Sequence, residues 1–157
     1  MTVSAPEMVH LCSFRIDESW MGLELSAVQE LLPLKHITEV PLAARHVTGL
    51  INLRGQIVAV VDLRPLLGFP VLRRYETGML VVMRRADNQV ALVVDRIGDT
   101  IRFDPEERLP APANLAAHVQ PLVRAVYPYD YELLMQLDID QLLQLTGPEN
   151  SAEERKS

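Results

Sequence analysis

Cysteine is almost missing from this chain: Cys12 stands alone among 157 residues, which leaves no partner for an internal disulfide and no thiolate cluster for a metal. No apolar run approaches the roughly 20 residues that span a bilayer. The segment Met1 to Val9 contains Pro6 and Glu7 and lacks the basic-then-apolar order of a secretory signal. The expectation is a soluble, cytoplasmic protein, with any membrane association made through a partner rather than by direct insertion. Positive charge is also short. Fifteen Lys and Arg against 21 Asp and Glu leave 15 − 21 = −6, which argues against a nucleic-acid backbone as the main partner.

The residues that carry chemistry are missing as patterns rather than as types. The seven glycines, at positions 22, 49, 55, 68, 78, 98 and 147, are scattered and build no phosphate-cradling loop. No serine sits in a G-x-S-x-G elbow. His10, His36, His46 and His118 show no metal-ligand spacing, and none has the helical setting of a phosphotransfer histidine. Asp138 and Asp140 read better as helix-start residues than as a general acid and base. No catalytic, cofactor-binding or metal-binding residue is therefore assigned, and the chain is expected not to be an enzyme.

What is present is a core. The chain is 48% hydrophobic and 23% charged, which suits one domain that buries about two-thirds or more of its unfolded surface. Turn residues recur every eight to twelve positions, the punctuation of short strands. Cys12, Phe14 and Ile16 alternate with Ser13, Arg15 and Asp17 as in a half-buried strand, and a second strand is expected over Trp20 to Glu24. Ser26 and Gln29 have capping-box spacing, with Val28, Leu31 and Leu32 on one helical face before Pro33, so a short helix is expected there.

The clearest hairpin is Thr48 to Asp62, with Asn52-Leu53-Arg54-Gly55 suited to a type I turn that exposes Arg54 at the tip. A helical turn is expected at Pro65 to Leu67, closed by Gly68. A second hairpin should pair Met79 to Met83 with Gln89 to Asp95 through Asp87-Asn88, followed by a strand at Thr100 to Phe103. Asp104 to His118 reads as a loop with one helical turn at Pro105 to Glu107. Strands at Pro121 to Tyr127 and Tyr131 to Leu137 flank the turn Pro128-Tyr129-Asp130. Asp138 and Gln141 repeat the capping spacing for a last helix ended by Gly147 and Pro148. Residues 1–7 and 148–157 are expected to be flexible ends around one domain at 8–147.

Two patterns bear on architecture. Gln56 to Asp62 is echoed by Gln89 to Asp95, through chance or through two similar halves. Ile57 to Val61, Leu80 to Met83 and Val90 to Val94 are apolar on both strand faces. A small barrel with a wet outer face should alternate instead. Such strands need a cover on the second face. Two barrels packed together supply one, and any remainder becomes a protein-binding surface.

The stretch Gly49-Leu50-Ile51-Asn52-Leu53-Arg54-Gly55-Gln56-Ile57-Val58-Ala59-Val60-Val61-Asp62-Leu63-Arg64 strongly resembles the CheW family signature G-x-x-N-x-R-G-x-[IV]-[VLI]-x-[VI]-[VIL]-[DN]-[LM]-R. Val28-Gln29-Glu30-Leu31, Val90 to Asp95, Leu109-Pro110-Ala111-Pro112 and Leu133 to Leu143 resemble further family elements in order, over about residues 8 to 147. The chain departs from the family at Ala91, where glycine is common, at Arg124-Ala125, and in the more aromatic turn Tyr127 to Tyr131.

The resemblance implies an all-β fold with short helices, built as two packed five-stranded SH3-like barrels. It implies a non-enzymatic adaptor without cofactors that couples chemoreceptors to a CheA-type histidine kinase. Its partners would be the kinase regulatory domain and the cytoplasmic helical hairpin tip of the receptor. A similar adaptor of twitching pili or of surface sensing with cyclic-di-GMP output is the alternative pathway. A ligand-binding or enzymatic barrel is the rival class. Glu30 and Arg54 match charged family positions used in coupling, while Val28, Leu31, Val61 and Val94 are candidate walls of a groove for an amphipathic helix. The plain alternatives are core for the four apolar residues, a solvated turn for Arg54 and an exposed helix position for Glu30. Asp62 and Arg64 are expected to brace the hairpin end.

Overall fold

A computed structural model describes residues 7–34, 37–39, 47–70 and 78–145. The first five strands are β1 (Val9–Ile16), β2 (Ser19–Glu24), β3 (Val28–Pro33), β4 (Thr38–Glu39) and β5 (Val47–Leu53). Then come β6 (Gln56–Val61), α1 (Arg64–Leu67), β7 (Met79–Arg85), β8 (Asn88–Val94) and β9 (Arg96–Phe103). The chain closes with β10 (Val123–Tyr129), β11 (Glu132–Leu137) and α2 (Ile139–Gln144). Two sheets result, a five-stranded one ordered β10-β11-β2-β1-β9 and a six-stranded one ordered β3-β7-β8-β6-β5-β4.

The fold is all-β with short helices, as expected. The second sheet has six strands rather than five, because the two-residue β4 adds to the free edge of β5.

Each sheet encloses a core. In the first, Leu11, Phe103, Ala125, Tyr127 and Leu134 cluster with Trp20, so all five strands contribute. Beyond β9 the chain bridges back from Leu109 to Val126 of β10, which draws the two edges together. In the second, Ile51, Val58, Val60, Leu80, Val82, Ala91 and Val93 form one cluster with Leu32 and Leu34.

The intervening residues of the same strands face the other way. Val61, Val81, Met83, Val90, Leu92 and Val94 pack against Phe14, Ile16, Met21, Leu23, Leu137, Ile139 and Leu142 of the first half. Residues 90 to 94 thus alternate strictly between the inner core and the seam. The seam is the cover that strands apolar on both faces required.

Several local expectations change. The segment expected as a helix is a single 3-10 turn, Leu25–Ala27, followed by β3. Burial along β3 alternates with period two, and pairing to β7 overrides the helical spacing. Ser13 is fully buried rather than outward, its hydroxyl donating to the Asp99 carbonyl at 2.6 Å. Leu53 pairs directly with Gln56, so the loop of that hairpin is Arg54-Gly55 alone. Both residues have positive φ, 51° and 86°, the sign pattern of a type I′ rather than a type I turn. The other hairpin loops shift in the same way, to Ala86-Asp87 and Asp130-Tyr131.

The echoed segments do not mark two halves. They lie in one sheet as the parallel neighbours β6 and β8.

The turns at Arg64–Leu67 and Pro105–Glu107 form as expected, and Asp138 caps α2 by accepting from the Gln141 N–H at 3.1 Å. The expected helix stop at Gly147-Pro148, both expected flexible ends apart from Glu7, His36 and His46 lie outside the described residues.

Candidate functional site

Glu30 and Arg54, 24 positions apart in sequence, meet in space. The guanidinium donates through Nη1 to Oε2 at 2.9 Å and through Nη2 to Oε1 at 2.8 Å, a two-pronged fork. Two local features aim the partners. A register shift between Val28 and Glu30 puts a bulge into β3, and bulges redirect the side chains beside them. Across the sheet, the two-residue loop holds Arg54 at the hairpin tip, and the Asn52 carboxamide oxygen accepts from the Gly55 N–H at 2.9 Å. β3 is three strands away from β6 in the sheet order, so their side chains meet only because the sheet curls.

The Arg54 side chain is 70% exposed and that of Glu30 is 22% exposed. A pair so open to water contributes about 0.2–1 kcal/mol. Its value lies in presenting an ordered charged surface.

Two apolar residues adjoin the fork in sequence, Leu31 directly after Glu30 and Ile57 three positions after Arg54. Leu31 pairs with Val81 and Ile57 lies on the face of β6 that carries Val61, so both belong to the seam side of the second sheet. They lie beyond the cover that the first sheet provides, at 41% and 66% exposure. Val28 is half-buried against the edge of the seam cluster.

Val61 and Val94 are corrected. At 1% and 0% exposure they are interior seam residues and cannot line a groove, because the first sheet covers the face they occupy. Ile57, which the sequence reading placed only within a two-faced strand, is the more exposed apolar position. Its signal was its place three residues after the arginine at the turn.

Asp62 and Arg64 form a separate buried network. Asp62 accepts the Arg64 backbone N–H at 2.9 Å and faces the Arg64 guanidinium at 3.4 Å, while that guanidinium also contacts the Asp95 carboxylate. This bracing extends to Asp95, which motif reading had not connected to Arg64.

Among the described residues, no group of three His, Cys, Asp or Glu side chains could hold a metal ion. A hollow between α1 and residues 114–119 is lined by Met21, Leu66, Phe69, Leu115 and Val119. The His118 ring beside it is engaged with the Leu66 carbonyl at 3.0 Å. Burial pushes the Cys12 thiol up from its ordinary value, away from reactive thiolate chemistry. No described helix is long and apolar enough to cross a membrane.

Comparison with known proteins finds relatives over most of the chain. A family model described as a CheW-like domain matches residues 10–146. A chemotaxis protein CheW of Thermotoga maritima is 30% identical over 132 residues, 84% of this chain and 85% of that protein. One from Rhizobium meliloti is 24% identical over the same shares. Among solved structures, the scaffolding protein TtCheW from Thermoanaerobacter tengcongensis superposes with a TM-score of 0.74 at 21% identity, covering 85% of this chain and 90% of that one.

Proposed function

The chain belongs to the CheW-like family, and from that premise we propose how its surface couples two signalling partners. It is a non-enzymatic adaptor of chemotaxis signalling, joining chemoreceptors to a histidine kinase. On our reading the kinase partner is the regulatory domain of a CheA-type enzyme, and the receptor partner is the tip of a cytoplasmic helical hairpin. The adaptor would act in the cytoplasm and reach membrane arrays through those partners.

The observation that carries the reading is the exposed, ordered Arg54–Glu30 fork, with Leu31 and Ile57, close to it in sequence, left uncovered. Apolar walls with a charged rim suit an amphipathic helix. The fork is too exposed to be a stability device, which favours a role in recognition. Docking two partners on one small body raises their effective concentration and sets their relative orientation. Transmission then requires a different fit to the kinase's active and inactive states.

The test is Arg54→Glu, which sets two carboxylates against each other at an exposed turn. Circular dichroism and the thermal midpoint should match the parent protein. Receptor-dependent kinase activation in a reconstituted mixture should fall about tenfold or more, since like charges brought together at an interface cost several kcal/mol. Normal activation by this variant would remove Arg54 from the site. Failure of the parent protein to bind a purified CheA-type regulatory domain would reject that partner.

A further inference from the structure

Among the described elements the chain passes between the two sheets twice, and an arginine from the second half holds an acid at each passage. The first runs from β2 through the turn Leu25–Ala27 into β3. Glu24, the last residue of β2, lies 3.2 Å from Arg85 Nη2 at the end of β7. The other prong of Arg85 reaches Asp140 of α2 at 2.8 Å.

The second passage is Asp95, the single residue between β8 and β9. Its Oδ1 meets the Arg64 guanidinium of α1, and its Oδ2 accepts the backbone N–H of Asp17 in the β1–β2 turn. The Asp95 N–H donates to the Arg15 carbonyl of β1 at 2.8 Å. One carboxylate therefore grips both halves.

The seam between the sheets is apolar, and apolar contact is non-directional, so by itself it resists sliding weakly. Charged hydrogen bonds at fixed angles supply the missing direction. We propose that Arg64 and Arg85 are positioning residues that lock the two sheets at one mutual orientation. A displacement at a docking face on one sheet is then delivered to the other instead of being absorbed at the seam. Arg64 is 2% exposed and its Asp95 partner 29%, so salt screens that contact less than it screens Arg85, which is 39% exposed. The functional half of this proposal rests on the adaptor reading above, and the structural half does not.

The test places spin labels at Arg102 of β9 and Gln56 of β6, both exposed, in a Cys12→Ala background, and reads the distance distribution by pulsed electron resonance. Arg64 variants leave two acids facing each other in the interior and risk misfolding, so Arg85→Gln and Asp95→Asn carry the experiment. Both variants should broaden the distribution relative to the parent while far-UV circular dichroism is retained. With Arg85→Gln, affinity for receptor fragment and for kinase domain, each measured alone, should hold within about twofold. Activation in the three-component mixture should fall about fivefold or more, the size of a modest coupling between sites.

Distributions that superimpose on the parent in both variants overturn the lock. A broadened distribution with full activation overturns its part in transmission. A parent protein that couples nothing rejects the adaptor reading and leaves the distance result to judge the lock.

Discussion

At the scale of single residues, exposure separates the two arginines of the family motif. Arg54 and Arg64 stand ten positions apart (64 − 54) on either side of one strand, yet the first is open to water and the second is sealed. Arg54 can change sign at little structural cost. Arg64 cannot, because removing one member of a buried ionic group typically costs about 3–5 kcal/mol.

Cys12 offers a pH test at this scale. Its thiol is held above the ordinary value by burial, so on raising pH the unfolded chain ionises first. The stabilisation is complete below the ordinary thiol value and is lost as pH rises through the folded one. Tyr127 is raised as well, burial outweighing the lowering by Arg108 and Arg124, and adds to the same alkaline decline. Urea midpoints compared between about pH 8 and about pH 10 should fall for the parent protein and fall less for Cys12→Ala. Equal declines would place the titration elsewhere.

At the scale of elements, tight hairpins explain the left-handed non-glycine residues of the chain. Asp17, Arg54, Ala86, Asp130 and Tyr131 all have positive φ, and each sits in a two-residue hairpin loop. Such loops match the right-handed twist of the strands they join. The signature glycine at position 49 has a different reason. A Cβ there would lie 2.5 Å from Ile37 Cγ2 and 2.7 Å from the Thr38 carbonyl oxygen. The backbone of β4 pairs at that point, so an added methyl must displace the edge strand. Gly49→Ala is expected to detach β4 and to cost about 1–3 kcal/mol, read as a lower urea midpoint. Since β5 carries Arg54 at its end, coupling should weaken in parallel. An unchanged midpoint would show that β4 adapts freely.

At the scale of the whole molecule, stability and orientation come from different interactions. The seam and the two enclosed cores supply the apolar burial, and the ionic contacts at the passages supply direction. Leu92 is fully buried in the seam cluster, next to Ala91 and Val93 of the inner core. Leu92→Ala should cost about 2–5 kcal/mol in one cooperative transition. Two separate transitions, followed by tryptophan fluorescence from the first half and hydrogen exchange in the second, would mean that the halves fold independently.

The linear chain settled the outline at this scale. Strands apolar on both faces demanded a second covering layer, because apolar area left in water is costly, and the hairpin motif placed Arg54 at a tip. It also settled the N-cap at Asp138 and the turn at Pro65, where the controlling contacts lie within a few residues. Tertiary structure decided the rest. β3 was unreadable because its capping and helical spacings are genuine, and only the edge of β7, far away in sequence, turns them into a strand. Whether a valine walls a groove or fills a seam depends on where the covering sheet ends. That boundary buries Val61 and Val94 and leaves Leu31 and Ile57 uncovered. The meeting of Glu30 with Arg54 needed the curl of a sheet and that of Asp95 with Arg64 the parallel pairing of β6 with β8, since no local spacing records which distant charges a fold brings together.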